Sequence, residues 1–87
     1  MTDPFDALAA KEPNWDTYGA PPITPEAIAA ARWLHRHWPT AAVVPTSAGG
    51  VQLETEALEI EIGPDGKIVG GTYTDETGHM TELEPQP

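Results

Sequence analysis

Glu54, Glu56, Glu59 and Glu61 stand close together in the stretch VQLETEALEIEIG. Carboxylates two apart on a strand could form the side-by-side pairs used in acid–base chemistry. They could equally make a solvated acidic face. Alternation puts them on the polar side of a strand, which favours the acidic-face reading. The three histidines offer the other chemistry. His35 and His37 are roughly 200° apart around a helix, so that helix cannot aim both at one ion, and His79 is remote in sequence. No metal site is expected, and no cofactor. No serine has His and Asp partners at a spacing that supports nucleophilic catalysis. SAGG, residues 47–50, and GPDG, residues 63–66, read as turns and match neither the P-loop nor the dinucleotide fingerprint. With these elements absent, the chain is read as non-enzymatic.

Charge is the strongest remaining signal. The 87 residues carry 14 acidic side chains against 4 Lys and Arg, a net charge of −10. Residues 51–87 hold most of it, because there Lys67 alone opposes the carboxylates. Such a field repels phosphate backbones and anionic lipid and attracts basic surfaces. Direct nucleic-acid binding and a membrane partner are therefore not expected. There is no cysteine, so neither a disulfide framework nor a thiolate metal site. No apolar run is long enough to cross a bilayer. The opening MTDPFDALAAKEP lacks the basic start of a secretory signal. A cytoplasmic setting is the expectation.

These side chains need elements to position them. ITPEAIAAARWLHRHWPT reads as a helix. Thr24 is a suitable N-cap, Pro25 suits the first helical position, and Glu26 lies where the helix dipole favours an anion. Pro39 stops the helix near His37. Ala27, Ile28, Ala31, Leu34 and Trp38 share one arc and should form its buried face. Arg32 and Arg36 fall on the opposite side, and Trp33 lies off the core arc. AAVVPTS, from Ala41, is a short edge strand limited by Pro45. Beyond SAGG the apolar residues alternate, but Val51 and Leu53 are odd while Leu58, Ile60 and Ile62 are even. One strand keeps one parity, so the chain must slip near Thr55–Ala57. No Gly, Asn or Pro marks a turn there, which favours one long bulged strand over a hairpin. GPDG then reverses the chain into KIVGGTYTD, with a bend or bulge at Gly70–Gly71. DETG leads into HMTEL, placing Tyr73 opposite Met80. EPQP should fray.

The predicted fold is α+β: one helix packed on an antiparallel meander of three to four strands, preceded by an extended N-terminal clasp. Residues 1–84 form a single domain, with 1–12 its candidate flexible segment and 85–87 a frayed tail. The clasp is NWDTYGAPPI, Asn14–Ile23. Pro21 and Pro22 enforce extended backbone and Gly19 permits a reversal, so Trp15, Tyr18 and Ile23 should fold back over the helix–sheet seam. In a second reading Asp16 and Tyr18 present a binding loop.

NWDTYGAPPITPEAIAAA, VVPT with GGVQLE, and LEIEIGPDG together resemble a group of short uncharacterised bacterial and phage proteins. That group shares an N-W-D-x-Y-G-A-x-P-I segment, a helix and a G-G-V-Q-L-E-W strand. The likeness spans about residues 13–67. Thr55 stands here in place of the group's Trp, and the segment before LEIEI is short. By analogy the resemblance implies a phage-type inhibitor of host defence, of which anti-CRISPR proteins are examples.

The function expected from these features is a non-enzymatic, acidic protein-binding module whose partner is a basic protein surface. Glu54, Glu56, Glu59 and Glu61 would form its contact stripe. Carboxylates two apart on a strand project roughly 6.6 Å apart, close to the spacing of phosphates along one strand of DNA. The stripe could then mimic nucleic acid on a surface built to hold it. Asp16, Tyr18 and Trp33 are further contact candidates. The alternative is a passive accessory or structural domain without mimicry, or an antitoxin-like partner protein.

Overall fold

The computed structural model describes residues 3–87, leaving Met1 and Thr2 outside it. The α+β class holds, with two helices and five strands among the described residues. The first helix, α1 (Pro4–Ala9), falls within the segment expected to be flexible. It starts by the same device as the second. Asp3 caps it by accepting a hydrogen bond from the Phe5 N–H, and Pro4 occupies the first turn. So short a helix is marginal alone. It holds because Phe5 and Leu8 are buried in the core.

The second helix, α2 (Pro25–His35), begins as expected. The Thr24 hydroxyl accepts from the Ala27 N–H at 3.1 Å and donates to the Pro64 carbonyl at 2.6 Å, tying the helix start to a sheet turn. Ala27 and Ala31 are fully buried, while Ile28, Leu34 and Trp38 pack from its margins. Two alanines at the contact let the helix backbone sit close to the sheet.

The sheet has the order β1 (Ala42–Pro45), β2 (Val51–Glu54), β3 (Leu58–Ile62), β4 (Ile68–Thr74) and β5 (Met80–Leu83), all antiparallel. The parity change at Thr55–Ala57 is a turn, not a bulge. Val51 pairs with Ile62 and Leu53 with Ile60, so the expected single strand is a hairpin. Thr55 supplies the reversal that Gly or Asn usually provides. Its hydroxyl accepts from the Ala57 N–H at 3.1 Å, and its N–H donates to the Leu58 carbonyl at 2.7 Å. This local side-chain bond is how Ser and Thr stabilise turns. The bulge lies one hairpin later. Ile62 pairs with Ile68 and Glu61 with Gly70, leaving Val69 as the extra residue. Gly71 follows, where a Cβ would collide with the Glu59 carbonyl oxygen.

Val51, Leu53, Leu58, Ile60 and Ile62 form the sheet side of the core. Helix α2 lies over β2 and β3, and α1 over β1. Neither helix makes more than marginal contact with β4 or β5. Tyr73 pairs with Thr81 and Met80 with Thr74, so the expected Tyr73–Met80 pair does not form. The C-terminal tail is tied down at Gln86, whose N–H donates to the Ile68 carbonyl while its side-chain oxygen accepts from the Ile68 N–H.

Candidate interaction surfaces

The hairpin correction rearranges the glutamates. Glu54 is opposite Glu59, Glu59 opposite Thr72, and Thr72 opposite Glu82. These four residues make a row across β2 to β5 on the face away from the helices. Glu61 stands beside Glu59 along β3. Glu56 leaves the pattern, because it sits in the turn between β2 and β3. The acidic feature is thus a patch with one cross-strand row, not a stripe along one strand. Neighbouring strands are about 4.8 Å apart, so Glu54 and Glu59 stand closer than the along-strand spacing, while Thr72 leaves Glu59 and Glu82 two strands, about 9.6 Å, apart. Glu82, which the sequence reading passed over, belongs to it. Its membership depends on strand register, which no local sequence signal reveals.

Among the described residues the patch has no internal counter-ion. None of the four Lys and Arg lies on a strand. Arg32 and Arg36 belong to α2 or its C-cap, Lys67 to the β3–β4 turn, and Lys11 follows α1. Lys11 lies over the Trp15 ring, 5.6 Å from its centre. The Gln52 amide donates to Glu54 at 3.3 Å, the one side-chain hydrogen bond made to this row among the described residues. Like charges directly opposite on a sheet repel, so the arrangement stands at a cost in stability.

The segment 14–20 is a loop held by its own polar groups. Asp16 Oδ1 accepts from the N–H groups of Tyr18 at 2.9 Å and Ala20 at 3.1 Å. Asn14 Oδ1 accepts from the Gly19 N–H at 2.6 Å. Asn14 and Thr17 both have φ of 65°. Asn tolerates that left-handed region, but a β-branched residue there is strained. Trp15 is half-buried against the core and donates its indole N–H to the Pro21 carbonyl at 2.8 Å. Tyr18 is 91% exposed, contrary to the burial expected of it. The clasp therefore closes through Trp15, Ala20 and Ile23, and Tyr18 is displayed outward. Asp16 organises the loop, its Oδ1 engaged by two backbone donors.

Trp33 is 59% exposed on α2. Its ring meets His37 edge-on, with centroids 5.3 Å apart. It lines a groove of about 500 Å³ with Ala9, Ile28, Arg32 and Arg36. Arg32 is exposed beside α1, with about half of its side chain open to solvent (49%). It pairs with Asp3 at 2.8 Å and lies 4.9 Å from the centre of the Phe5 ring. The Phe5 N–H and then the Arg32 guanidinium hold the Asp3 carboxyl below its usual range. At the β4–β5 turn, the Thr77 hydroxyl and the His79 N–H do the same to Asp75.

The histidines have separate surroundings. His35 Nε2 donates to the Ala41 carbonyl at 3.2 Å, while His37 meets Trp33 and Trp38 in edge-on contacts. Among the described residues, no group of three His, Asp or Glu side chains is placed to hold a metal ion. No helix among them is long and apolar enough to cross a membrane.

A second groove, of about 390 Å³, lies where α2 stops short of β4 and β5. Leu34 and Trp38 form one wall, and Ile68, Tyr73 and Leu83 the other. No family model, curated protein or solved structure matches this chain.

Proposed function

We propose that this protein acts by non-covalent binding, without catalysis, and that its uncovered sheet face docks on a basic protein surface. The observation that carries this reading is the row Glu54, Glu59, Thr72 and Glu82, with Glu61 beside it, on a sheet whose strands hold no Lys or Arg. Paired strands fix the backbone positions that carry these carboxylates, so the ordering cost on contact is confined to the side chains. The field steers basic partners to the face and is screened by salt. A surface that otherwise holds a phosphate backbone offers the complementary charge, which fits an inhibitor that occupies a nucleic-acid site.

Immobilised protein in a cell extract tests this. Basic proteins should be retained at low salt, released as salt rises, and lost when Glu59→Gln and Glu61→Gln are combined. Retention that ignores both substitutions but is abolished by Trp33→Ala would move the contact to the helix layer and overturn the reading.

A further inference from the structure

We propose that the open edge of β5 takes up an extended peptide strand whose side chains alternate basic and apolar. The inference rests on the acidic-face reading above and names the form of the partner.

Three observations meet at this edge. The first is free backbone. Strand β5 ends the sheet order, so one side of it is unpaired among the described residues. The Thr74 N–H donates to the Ala57 carbonyl, toward β3. By alternation, Tyr73 and Gly71 direct their backbone groups to β5, where they face Thr81 and Leu83. The N–H and C=O of Met80 and Glu82 then point outward, ready to pair with another strand.

The second observation is the apolar groove. It runs beside the same edge on the helix side, between Trp38 and Leu83, because no helix covers β4 and β5. The third is charge. On the other side of the edge, Glu82 ends the cross-strand row that holds Glu54 and Glu59. A strand added here sends alternate side chains to opposite faces. One set enters the groove, and the other lies beside Glu82. A Lys or Arg opposite Glu82 makes the favourable cross-strand pair that the row lacks.

A second copy of this chain fits the edge less well. Pairing β5 with itself would bring together two acidic faces on molecules of net charge −10. A basic and apolar peptide meets the same edge with complementary charge.

The test uses the whole protein at low salt and a short synthetic peptide of alternating Lys and Val. Two control peptides have the same composition: one with its Lys and Val in separate blocks, and one N-methylated along a single edge. The alternating peptide should shift the amide signals of Met80 and Glu82 and the Trp38 side chain. It should bind about tenfold more tightly than either control, the scale of lost strand bonds and groove contacts. Met80→Pro removes an outward donor without removing a bond to β4, a position where edge strands accept Pro. It should weaken the alternating peptide by a similar factor and leave the block peptide unchanged. The N-methylated control keeps the test intact should that variant fail to fold.

Equal binding of the alternating and block peptides would end the strand proposal and leave the acidic-face reading standing. Absence of binding by either would end both. A dimer in sedimentation that the peptide does not dissociate would assign the edge to a second copy and also overturn the proposal.

Discussion

Glu54 and Glu59 face each other in register across β2 and β3, two like charges on an uncovered sheet. Their repulsion opposes a pairing that Leu53 and Ile60 stabilise on the opposite face, where both are buried. Burial of such side chains outweighs an exposed charge clash, at about 2 kcal/mol each against a few tenths. Glu54→Lys should therefore stabilise the fold by about 0.5 kcal/mol, since it turns a like pair into an opposite one. Thermal unfolding at low and high salt checks this. The gain should shrink with salt, and a destabilised Glu54→Lys variant would contradict the register.

The turn between β2 and β3 gives a second prediction. Glu56 and Ala57 reverse the chain without the residues that favour a tight hairpin. Replacing them with Asn-Gly supplies the favoured turn type and should stabilise by about 1 kcal/mol. The same change within a continuous bulged strand would weaken it. Chemical denaturation of the double variant separates the two outcomes.

What could be read from sequence follows from the range of each signal. Helix α2 was legible because Thr24, Pro25 and Glu26 are local start signals. The change of parity was legible too, since Leu53 and Leu58 show it directly. Its cause was not, because the Thr55 hydroxyl bond is a weaker turn signal than Gly or Asn. Helix α1 shares the cap-then-Pro start of α2 but is too short for periodicity to declare it. Packing of Phe5 and Leu8 decides it. The acidic row was hidden for another reason: Glu82 joins Glu54 and Glu59 only through the register of four strands, and the bulge at Val69 helps to set that register. Residue type alone places Tyr18 inside, while the turn bonds of Asn14 and Asp16 determine that it points outward.

That loop yields the third prediction. Thr17 holds φ of 65° with a branched side chain. Thr17→Gly should relieve the strain and raise stability by about 1 kcal/mol. Tyr18→Ala should leave stability unchanged, because the side chain is exposed. Trp15→Ala should cost about 2 kcal/mol, as its half-buried ring and the bond to Pro21 are lost. Calorimetry of the three variants decides. Equal losses for Tyr18→Ala and Trp15→Ala would mean that the clasp closes through both rings.

Asp3 gives a prediction in pH. Its carboxyl lies below the usual 3.8 because the Phe5 N–H, and then Arg32, favour the charged form. The folded value is thus lower than the unfolded one. The stabilisation is present above the unfolded value and is lost as pH falls through the folded value. Asp3→Asn should unfold at a lower temperature than the natural protein near neutral pH. The gap should begin to narrow below about pH 4 and close only as pH falls through the lower folded value. Asp75 shifts in the same direction and remains in both proteins, so it cancels in the comparison. A gap that persists undiminished in acid would remove the ionised Asp3 from the account of how α1 is held to α2.

The last prediction separates the row from its surroundings. Glu56 lies at the turn, off the row, although it belongs to the same acidic stretch of sequence. If binding depends only on total charge, Glu56→Gln and Glu59→Gln should weaken it equally, since each removes one negative charge. If the row is the contact, Glu59→Gln should slow association with a basic partner by several-fold while Glu56→Gln leaves the rate nearly unchanged, because rigidly placed charges at the contact dominate steering. Glu82→Gln should resemble Glu59→Gln despite its distance along the chain. Association rates at several salt concentrations supply the readout, and the row variants should show the flatter dependence. Equal effects from Glu56 and Glu59, with none from Glu82, would leave charge as a general property of the surface and remove the row as a contact.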